Sequence, residues 1–296
     1  MQTPTPVLSD ATHTSLEEHM GIKYRKAMGE IMYPMIKCRP DISPHAIILS
    51  QFMANPAEVH YQALKDVIAY LADTPEEGIH YWRENPHSEL PQAPHPSLHH
   101  DNLQPHDPQP SQNMHAYVNS DWGTNTVRRN SLTGMIIMFA GGAIGYKTKF
   151  QTVIAHSSTE AEFVAACDTA KLILFYCSLL DDIGISQTEA TVMYEDNNGA
   201  LLMANAQQPT RRTRHMELKH FAILDWVEQD LLILTHIPTS LNVADAMTKP
   251  LEKTLFYRHY DKYMGLRVPD YCVTEQNNMC GTTPNSLCMF NDTNPA

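Results

Sequence analysis

One long amphipathic pattern, between residues 157 and 180, constrains the fold of this chain more than any other segment. The run S-S-T-E-A-E-F-V-A-A begins with hydroxyl residues that suit a helix N-cap, and it places Glu160 and Glu162 in the first turns. Apolar residues then recur at helical spacing as far as Cys177. The two glutamates lie about 200° apart around a helix, so only one of them can face a given site. The pattern predicts a buried helix with one carboxylate directed into a site.

A segment rich in proline and histidine, residues 84–113, separates two regions of different periodicity. The region before it has helical spacing with breaks at proline residues, and it predicts three short helices. We therefore predict an irregular lead-in (1–22), a helical module (23–83), a linker (84–113), an α/β domain (114–271) and a disordered tail (272–296).

The α/β domain is predicted from alternating and helical patterns that follow one another after the linker. Three strand patterns come first and suggest a meander, and the long helix follows them. A strand that ends at Tyr194, two helical patterns, another strand and a last helical pattern complete the order β-β-β-α-β-α-α-β-α. The predicted strands are residues 114–120, 134–139, 144–148, 190–194 and 231–237. The later helices are residues 199–206, 216–229 and 243–263, the last of them interrupted near Pro250.

Composition limits the function classes. The chain has 296 residues, 43% of them apolar, which is enough to build real cores. Its net charge of −12 argues against a protein that coats nucleic acid through bulk electrostatics. An acidic pocket within a region of nearly equal numbers of basic and acidic residues would still suit a metal-dependent nucleic-acid enzyme. The start of the chain lacks a signal-peptide pattern and no apolar run approaches the length of a membrane span. We expect an intracellular protein that is not secreted and has no membrane partner.

Acidic residues recur at four similar places in the predicted α/β domain. Asp121 follows Asn119 at the end of the first strand, Glu162 lies in the long helix, Asp196 follows the fourth strand, and Asp245 begins the last helical pattern. Hard cations take oxygen ligands, and converging carboxylates repel one another without such cations. The four places therefore predict a site for two Mg²⁺ ions, with Mn²⁺ as an alternative.

The flanks of these acids form seven short motifs in a fixed order. They are Y-V-N-S-D-W, R-R-N-S-L-T-G, G-G-A-I-G-Y-K-T-K, S-S-T-E-A-E-F, Y-E-D-N-N-G-A, R-T-R-H-M-E-L-K-H-F and N-V-A-D-A-M-T-K-P-L. Together they closely resemble the ribonuclease H domain of Ty1/copia-type retrotransposon polyproteins. The upstream stretch Y-R-K-A-M-G-E-I-M-Y-P-M-I-K-C-R-P-D-I-S resembles the connection that follows the reverse transcriptase of the same elements.

The resemblance implies a fold, an activity and a set of catalytic residues. The fold is an α/β, ribonuclease H-like mixed sheet flanked by helices, and the activity is hydrolysis of the RNA strand of RNA–DNA hybrids with two Mg²⁺ ions. Glu162, Asp196 and Asp245 match three family acids. Asn119 stands where the family usually has its first acid, and Asp121, two residues later, is the candidate substitute.

Two function hypotheses stay open at this point. The first is an active two-metal endonuclease, and the second is an inactive hybrid-binding or structural remnant in which Asn119 has replaced the acid. No polymerase activity is expected, because the Y-x-D-D pair of a copia-type polymerase is absent from the sequence. The resemblance implies a reverse transcriptase palm and fingers of the same polyprotein as partner.

Basic residues near these motifs are candidates for binding the phosphates of a hybrid, which is recognised largely by its shape. Lys147 and Lys149 alternate along one strand face, and a dense basic run follows the fourth strand. A solvated cationic face is the alternative for each of them. The complete set is Lys147, Lys149, Arg211, Arg212, Arg214, His215 and Lys219.

Overall fold

The computed structural model describes residues 10–81, 113–125, 129–204 and 217–266. The chain divides into two compact units, with the boundary between Gly78 and Ile79. The predicted tail and, apart from Asn113, the predicted linker lie outside the described residues.

The first unit is helical. It contains α1 (Asp10–Met20), α2 (Tyr24–Lys37), α3 (Ser43–Ser50) and α4 (Glu58–Asp73), with a 3₁₀ turn at Pro40–Ile42. Helix α1 corrects the sequence prediction, which had residues 1–22 irregular. Leu16 and Met20 of α1 pack into the hydrophobic core of this unit. Tertiary packing therefore stabilises a helix whose own sequence shows no clear periodicity.

The second unit contains a five-stranded mixed sheet in the order β3-β2-β1-β4-β5. Its strands are β1 (His115–Asp121), β2 (Leu132–Phe139), β3 (Gly142–Phe150), β4 (Thr191–Glu195) and β5 (Leu232–His236). The first three strands form the predicted antiparallel meander, and β4 and β5 run parallel to β1. The mixed sheet implied by the resemblance is confirmed.

One face of this sheet packs against α5 (Ser158–Asp182), together with α6 (Asn198–Ala204) and α7 (Glu217–Glu228). By length and composition alone α5 could cross a membrane. Half of its most apolar stretch is buried inside the unit, however, and its buried face lies against β1 and β2. These contacts are those of a core helix.

The opposite face of the sheet packs against the 3₁₀ segment Val243–Met247 and α8 (Lys253–Tyr263). The helical pattern predicted for residues 243–263, with an interruption near Pro250, is therefore a 3₁₀ segment and a separate α-helix. Residues of β1 alternate between the two faces: Val118 contacts the α5 side, whereas Tyr117 contacts the 3₁₀ segment side. This alternation decides which neighbours surround each polar residue at the end of β1.

The 3₁₀ segment comes unusually close to β2. A Cβ atom placed on Gly134 would lie 2.6 Å from Met247 Cβ and 2.9 Å from the Ala244 carbonyl oxygen. Glycine at position 134 therefore allows the close approach that holds Asp245 beside the end of β1.

Candidate metal-binding and catalytic site

Two parallel strands deliver polar residues to the same edge of the sheet. β1 ends with Asn119, Ser120 and Asp121, and β4 ends with Glu195, which Asp196 follows. Because β1 and β4 are adjacent and parallel, their carboxyl ends meet at one edge. The acids of both strands lie in this edge region.

Helix α5 adds Glu162 to this edge, and its N-terminal capping fixes the helix there. The Ser157 side chain accepts a hydrogen bond of 3.2 Å from the Glu160 backbone N–H, and Glu160 Oε2 accepts one of 2.9 Å from the His156 N–H. Glu160 therefore stabilises the N-terminal cap of α5. Glu162 lies on another side of the helix, is 6% exposed, and faces the other acids.

Glu162, Glu195 and Asp196 form a close acidic group in the described part of the chain. Each offers a carboxylate oxygen, and these three oxygens lie within 4.8 Å of one another. The Oε2 atoms of Glu162 and Glu195 are both buried, and neither has a hydrogen-bond partner among the described residues. Carboxylates at this distance favour a shared proton or a bound cation, since full ionisation without either is unfavourable.

Burial and mutual repulsion raise the pKa values in this group. The pKa of Glu162 is well above its ordinary value, first because the carboxyl is buried and then because Glu195, Asp196 and Asp245 lie near it. The pKa of Glu195 is also raised, with burial as the largest cause and the neighbouring Asp196 as another. A hydrogen bond of 3.0 Å from the Asn197 N–H to Glu195 Oε1 opposes that rise.

Sequence reasoning missed Glu195. The fourth strand was predicted to end at Tyr194, with Glu195 in the turn beyond it. The strand instead includes Glu195, which pairs with His236 of β5. Thr191 and Met193 are buried on alternate positions of the strand, and extending that alternation by one step puts Glu195 on the same buried face. That alternation was the available signal.

Asp245 lies on the other side of the site, and both of its carboxylate oxygens are already bound. Asn119 Nδ2 donates a hydrogen bond of 2.6 Å to Asp245 Oδ1 and another of 2.7 Å to Thr248 Oγ1. Lys249 Nζ lies 3.0 Å from Asp245 Oδ2. Burial raises the pKa of Asp245, and the Lys249 ammonium is the largest opposing influence.

Asp121 lies at the rim of this arrangement. It is half-buried, and its Oδ2 accepts a hydrogen bond of 2.8 Å from Thr124 Oγ1. Its charge is close enough to raise the pKa of Asp245, as is that of Asp196. The structure thus brings Asp121, Glu162, Asp196 and Asp245 into one electrostatic neighbourhood, with Asn119 inside it.

Comparison with known proteins places this chain in a family. The chain is 32% identical over 266 residues to the retrovirus-related Pol polyprotein from transposon RE1 of Arabidopsis thaliana, covering 90% of this chain and 16% of that protein. It is 31% identical over 279 residues to the Pol polyprotein from transposon RE2 of the same plant, covering 92% of this chain and 17% of that protein. The chain is a relative of the Ty1/copia-type Pol polyproteins. No protein-family model matches it.

A solved structure of a ribonuclease H is also similar to this copia-type chain. LC11-RNase H1, isolated from compost, matches with a TM-score of 0.36 and 15% identity, covering 46% of this chain and 92% of that protein. The second unit has a mixed five-stranded sheet flanked by helices. Because the chain spans only 16% and 17% of the two Pol polyproteins, the activities of the full polyproteins do not transfer to it without a test.

The basic residues predicted to bind nucleic acid differ in their surroundings. Lys147 is exposed on β3, whereas Lys149 is half-buried and forms an ion pair of 2.7 Å with Asp168 of α5. Lys219 lies in α7, but its side chain is outside the described part of the chain. Arg211, Arg212, Arg214 and His215 lie in an undescribed stretch before α7. Their contact with a hybrid stays a prediction.

Proposed function

We propose that the second unit of this copia-type chain is a metal-dependent endonuclease that cleaves the RNA strand of RNA–DNA hybrids. The observation that carries the proposal is the meeting of Glu162, Asp196 and Asp245 at one sheet edge. These residues come from α5, from the end of β4 and from the 3₁₀ segment Val243–Met247. Bringing three distant acids together, two of them buried, costs folding free energy. Such clusters are concentrated at functional sites.

The donor set fits divalent cations of the Mg²⁺ class. The nearby ligand atoms are carboxylate oxygens, and the buried Oε2 atoms of Glu162 and Glu195 have no hydrogen-bond partner in the described part of the chain. Glu162 and Asp196 would hold one ion, and Asp121 and Asp245 lie where they could contribute to a second. Bound ions of this kind supply activation of water and stabilisation of the leaving 3′-oxygen, which gives 5′-phosphate and 3′-hydroxyl ends.

The residues of the chain itself position the substrate and the acids. Exposed Lys147 would attract a phosphate of the hybrid, while the Lys149–Asp168 ion pair ties β3 to α5. Lys249 partly neutralises Asp245, which lowers the repulsion that a cluster of four acids would otherwise create. We also propose that the unit works inside cells, beside the reverse transcriptase of the same polyprotein.

A second candidate function is supported by Asn119. Its amide donates to Asp245, so the position of the family's first acid holds a neutral hydrogen-bond donor. Asparagine provides no charge for a divalent ion, and its Nδ2 cannot act as a metal ligand. A chain with this substitution could bind a hybrid without cutting it, as an inactive binding or structural module.

A cleavage assay separates the two functions. The full chain is incubated with Mg²⁺ and an RNA–DNA hybrid that carries a 5′-labelled RNA strand. Under the endonuclease proposal, Glu162→Gln abolishes cutting, and Glu228→Gln, an exposed matched control on α7, leaves it unchanged. Loss of cutting in Asp121→Asn would show that Asp121 substitutes for the missing acid. Cutting that starts only in Asn119→Asp would establish the inactive module.

A further inference from the structure

The acidic residues at the sheet edge where β1 and β4 end lie on two sides of the sheet. The two sides differ in whether the carboxylate oxygens have partners. On the side of the 3₁₀ segment Val243–Met247, Asn119 and Lys249 bind both oxygens of Asp245. On the α5 side, Glu162 and Glu195 each have one buried oxygen that no other described residue binds. A carboxylate oxygen of Asp196 lies within 4.8 Å of those of Glu162 and Glu195, and the charge of Asp196 also raises the pKa of Asp245. The α5 side is therefore the side with free ligand atoms.

We propose that Glu195 is a metal ligand, and that Glu162, Glu195 and Asp196 form a divalent-cation site that does not require Asn119 or Asp245. Glu195 thereby supplies the carboxylate that position 119 lacks. The inference deepens the proposed function, on which its catalytic meaning rests. Cation binding can nevertheless be measured without nucleic acid, so failure of the site and failure of RNA cleavage give different results.

The burial of Glu195 is the first support. Its side chain is 0% exposed, although it lies at the last position of β4. A purely structural glutamate that caps the Asn197 N–H would need only Oε1. The second oxygen, Oε2, has no hydrogen-bond partner among the residues that the structure describes, and a desolvated acceptor of this kind costs free energy in a folded protein. A cation in the acidic group would satisfy that oxygen together with Glu162 Oε2.

The chemistry of the three residues selects the ion. All three offer carboxylate oxygens, and neither a histidine nitrogen nor a cysteine sulfur belongs to the group found among the described residues. Hard cations such as Mg²⁺, Mn²⁺ and Ca²⁺ prefer this set, whereas Zn²⁺ prefers nitrogen and sulfur. We therefore expect a site for a hard divalent ion.

Isothermal titration of the full chain with Mg²⁺ tests the assignment. Mg²⁺ is chosen because the histidine-rich segment of residues 84–113 would attract softer ions. Glu195→Gln keeps the size of the side chain and an oxygen for the Asn197 N–H, and it should weaken Mg²⁺ binding about tenfold or more, as Glu162→Gln should. Glu228→Gln should leave the dissociation constant unchanged. Asp245→Asn should weaken binding less than Glu195→Gln does.

Thermal unfolding provides a second readout that a structural role would not reproduce. In EDTA, Glu195→Gln should melt at a higher temperature than the unsubstituted chain, because one of three mutually repelling carboxylates is gone. Saturating Mg²⁺ should raise the melting temperature of the unsubstituted chain more than that of Glu195→Gln, because only the unsubstituted chain has the complete site. Two results would overturn the proposal: Mg²⁺ binding unaffected by Glu195→Gln, or a variant that melts lower than the unsubstituted chain both with and without Mg²⁺.

Discussion

At the scale of single residues, Asn119 shows how one amide reorganises an acidic site. Its hydrogen bonds to Asp245 and Thr248 make it a structural bridge between β1 and the 3₁₀ segment Val243–Met247. Asn119→Asp would place a second carboxylate against Asp245 Oδ1. In EDTA we expect the second unit to lose roughly 1–3 kcal/mol of unfolding free energy.

Added Mg²⁺ should reverse that loss, because the new carboxylate is a ligand as well as a repelling charge. Denaturant titrations of the variant with EDTA and with Mg²⁺ measure both effects. An Asn119→Asp chain that is as stable as the unsubstituted chain in EDTA would contradict the bridging role.

A substitution at Gly134 tests whether the geometry of the site depends on packing outside it. In Gly134→Ala, the new methyl group would lie 2.6 Å from Met247 Cβ, so the 3₁₀ segment must move. We expect a loss of roughly 1–3 kcal/mol and weaker hybrid cleavage through displaced Asp245. Gly29→Ala is the matched control, since a Cβ there meets nothing within 4 Å and alanine favours helix α2. Denaturant unfolding compares the two, and equal stabilities would contradict the close approach.

At the scale of elements, a buried ion pair fixes α4 to the turn that precedes α3. Arg39 Nη2 lies 2.8 Å from Asp41 Oδ2, and the guanidinium also donates to the carbonyl and the hydroxyl of Thr74. Tyr70 Oη donates to the same Asp41 oxygen at 2.8 Å. Arg39 and Asp41 are both buried. The structure makes them the polar centre of the first unit.

Removing one partner of this network should strongly destabilise the first unit. Arg39→Met leaves the Asp41 carboxylate buried without its cation, and we expect the first unit to lose roughly 3–5 kcal/mol. Lys26→Met, which breaks the exposed pair with Glu30, should cost about 0.5 kcal/mol or less. All three tryptophans follow Gly78, so far-UV circular dichroism should show early helix loss while tryptophan fluorescence stays unchanged.

His45 of helix α3 makes the stability of the first unit depend on pH. Both ring nitrogens of His45 are shielded from solvent, and burial lowers the pKa of this histidine to about 4, with the Asp41 charge opposing. The unfolded chain takes up a proton near pH 6.5, whereas the folded unit resists protonation until about pH 4. The stability contributed by neutral His45 is therefore complete above pH 6.5 and is lost as the pH falls towards 4.

Within that window the slope should be at most about 1.4 kcal/mol per pH unit. His45→Gln should flatten the dependence between pH 6.5 and 4, whereas His19→Gln, at an exposed position on α1, should not. Helix unfolding followed by circular dichroism across this range measures the difference. A slope that survives in His45→Gln would assign the dependence to other groups.

At the scale of the whole molecule, the two units have separate cores and separate polar centres. The acidic site belongs entirely to the second unit. Mg²⁺ should therefore raise the midpoint of the transition reported by tryptophan fluorescence, by an amount set by its concentration relative to the dissociation constant. The helical transition of the first unit should not move. A shift of both transitions together would show that the units unfold as one.

The sequence by itself determined the element order, through periodicity, and the family resemblance, through short motifs, because both are local properties. The resemblance implied the mixed sheet and singled out Glu162, Asp196 and Asp245, whose metal-binding role stays a prediction. The sequence also determined that only one of Glu160 and Glu162 could face a site, since helical geometry fixes their separation. Tertiary structure decided the rest. Helix α1 depends on burial of Leu16 and Met20, Glu195 joins the acids because β4 extends one residue further, and Asn119 binds Asp245 across 126 positions of the chain. Contacts between distant segments leave no local pattern, so only the packed sheet reveals them.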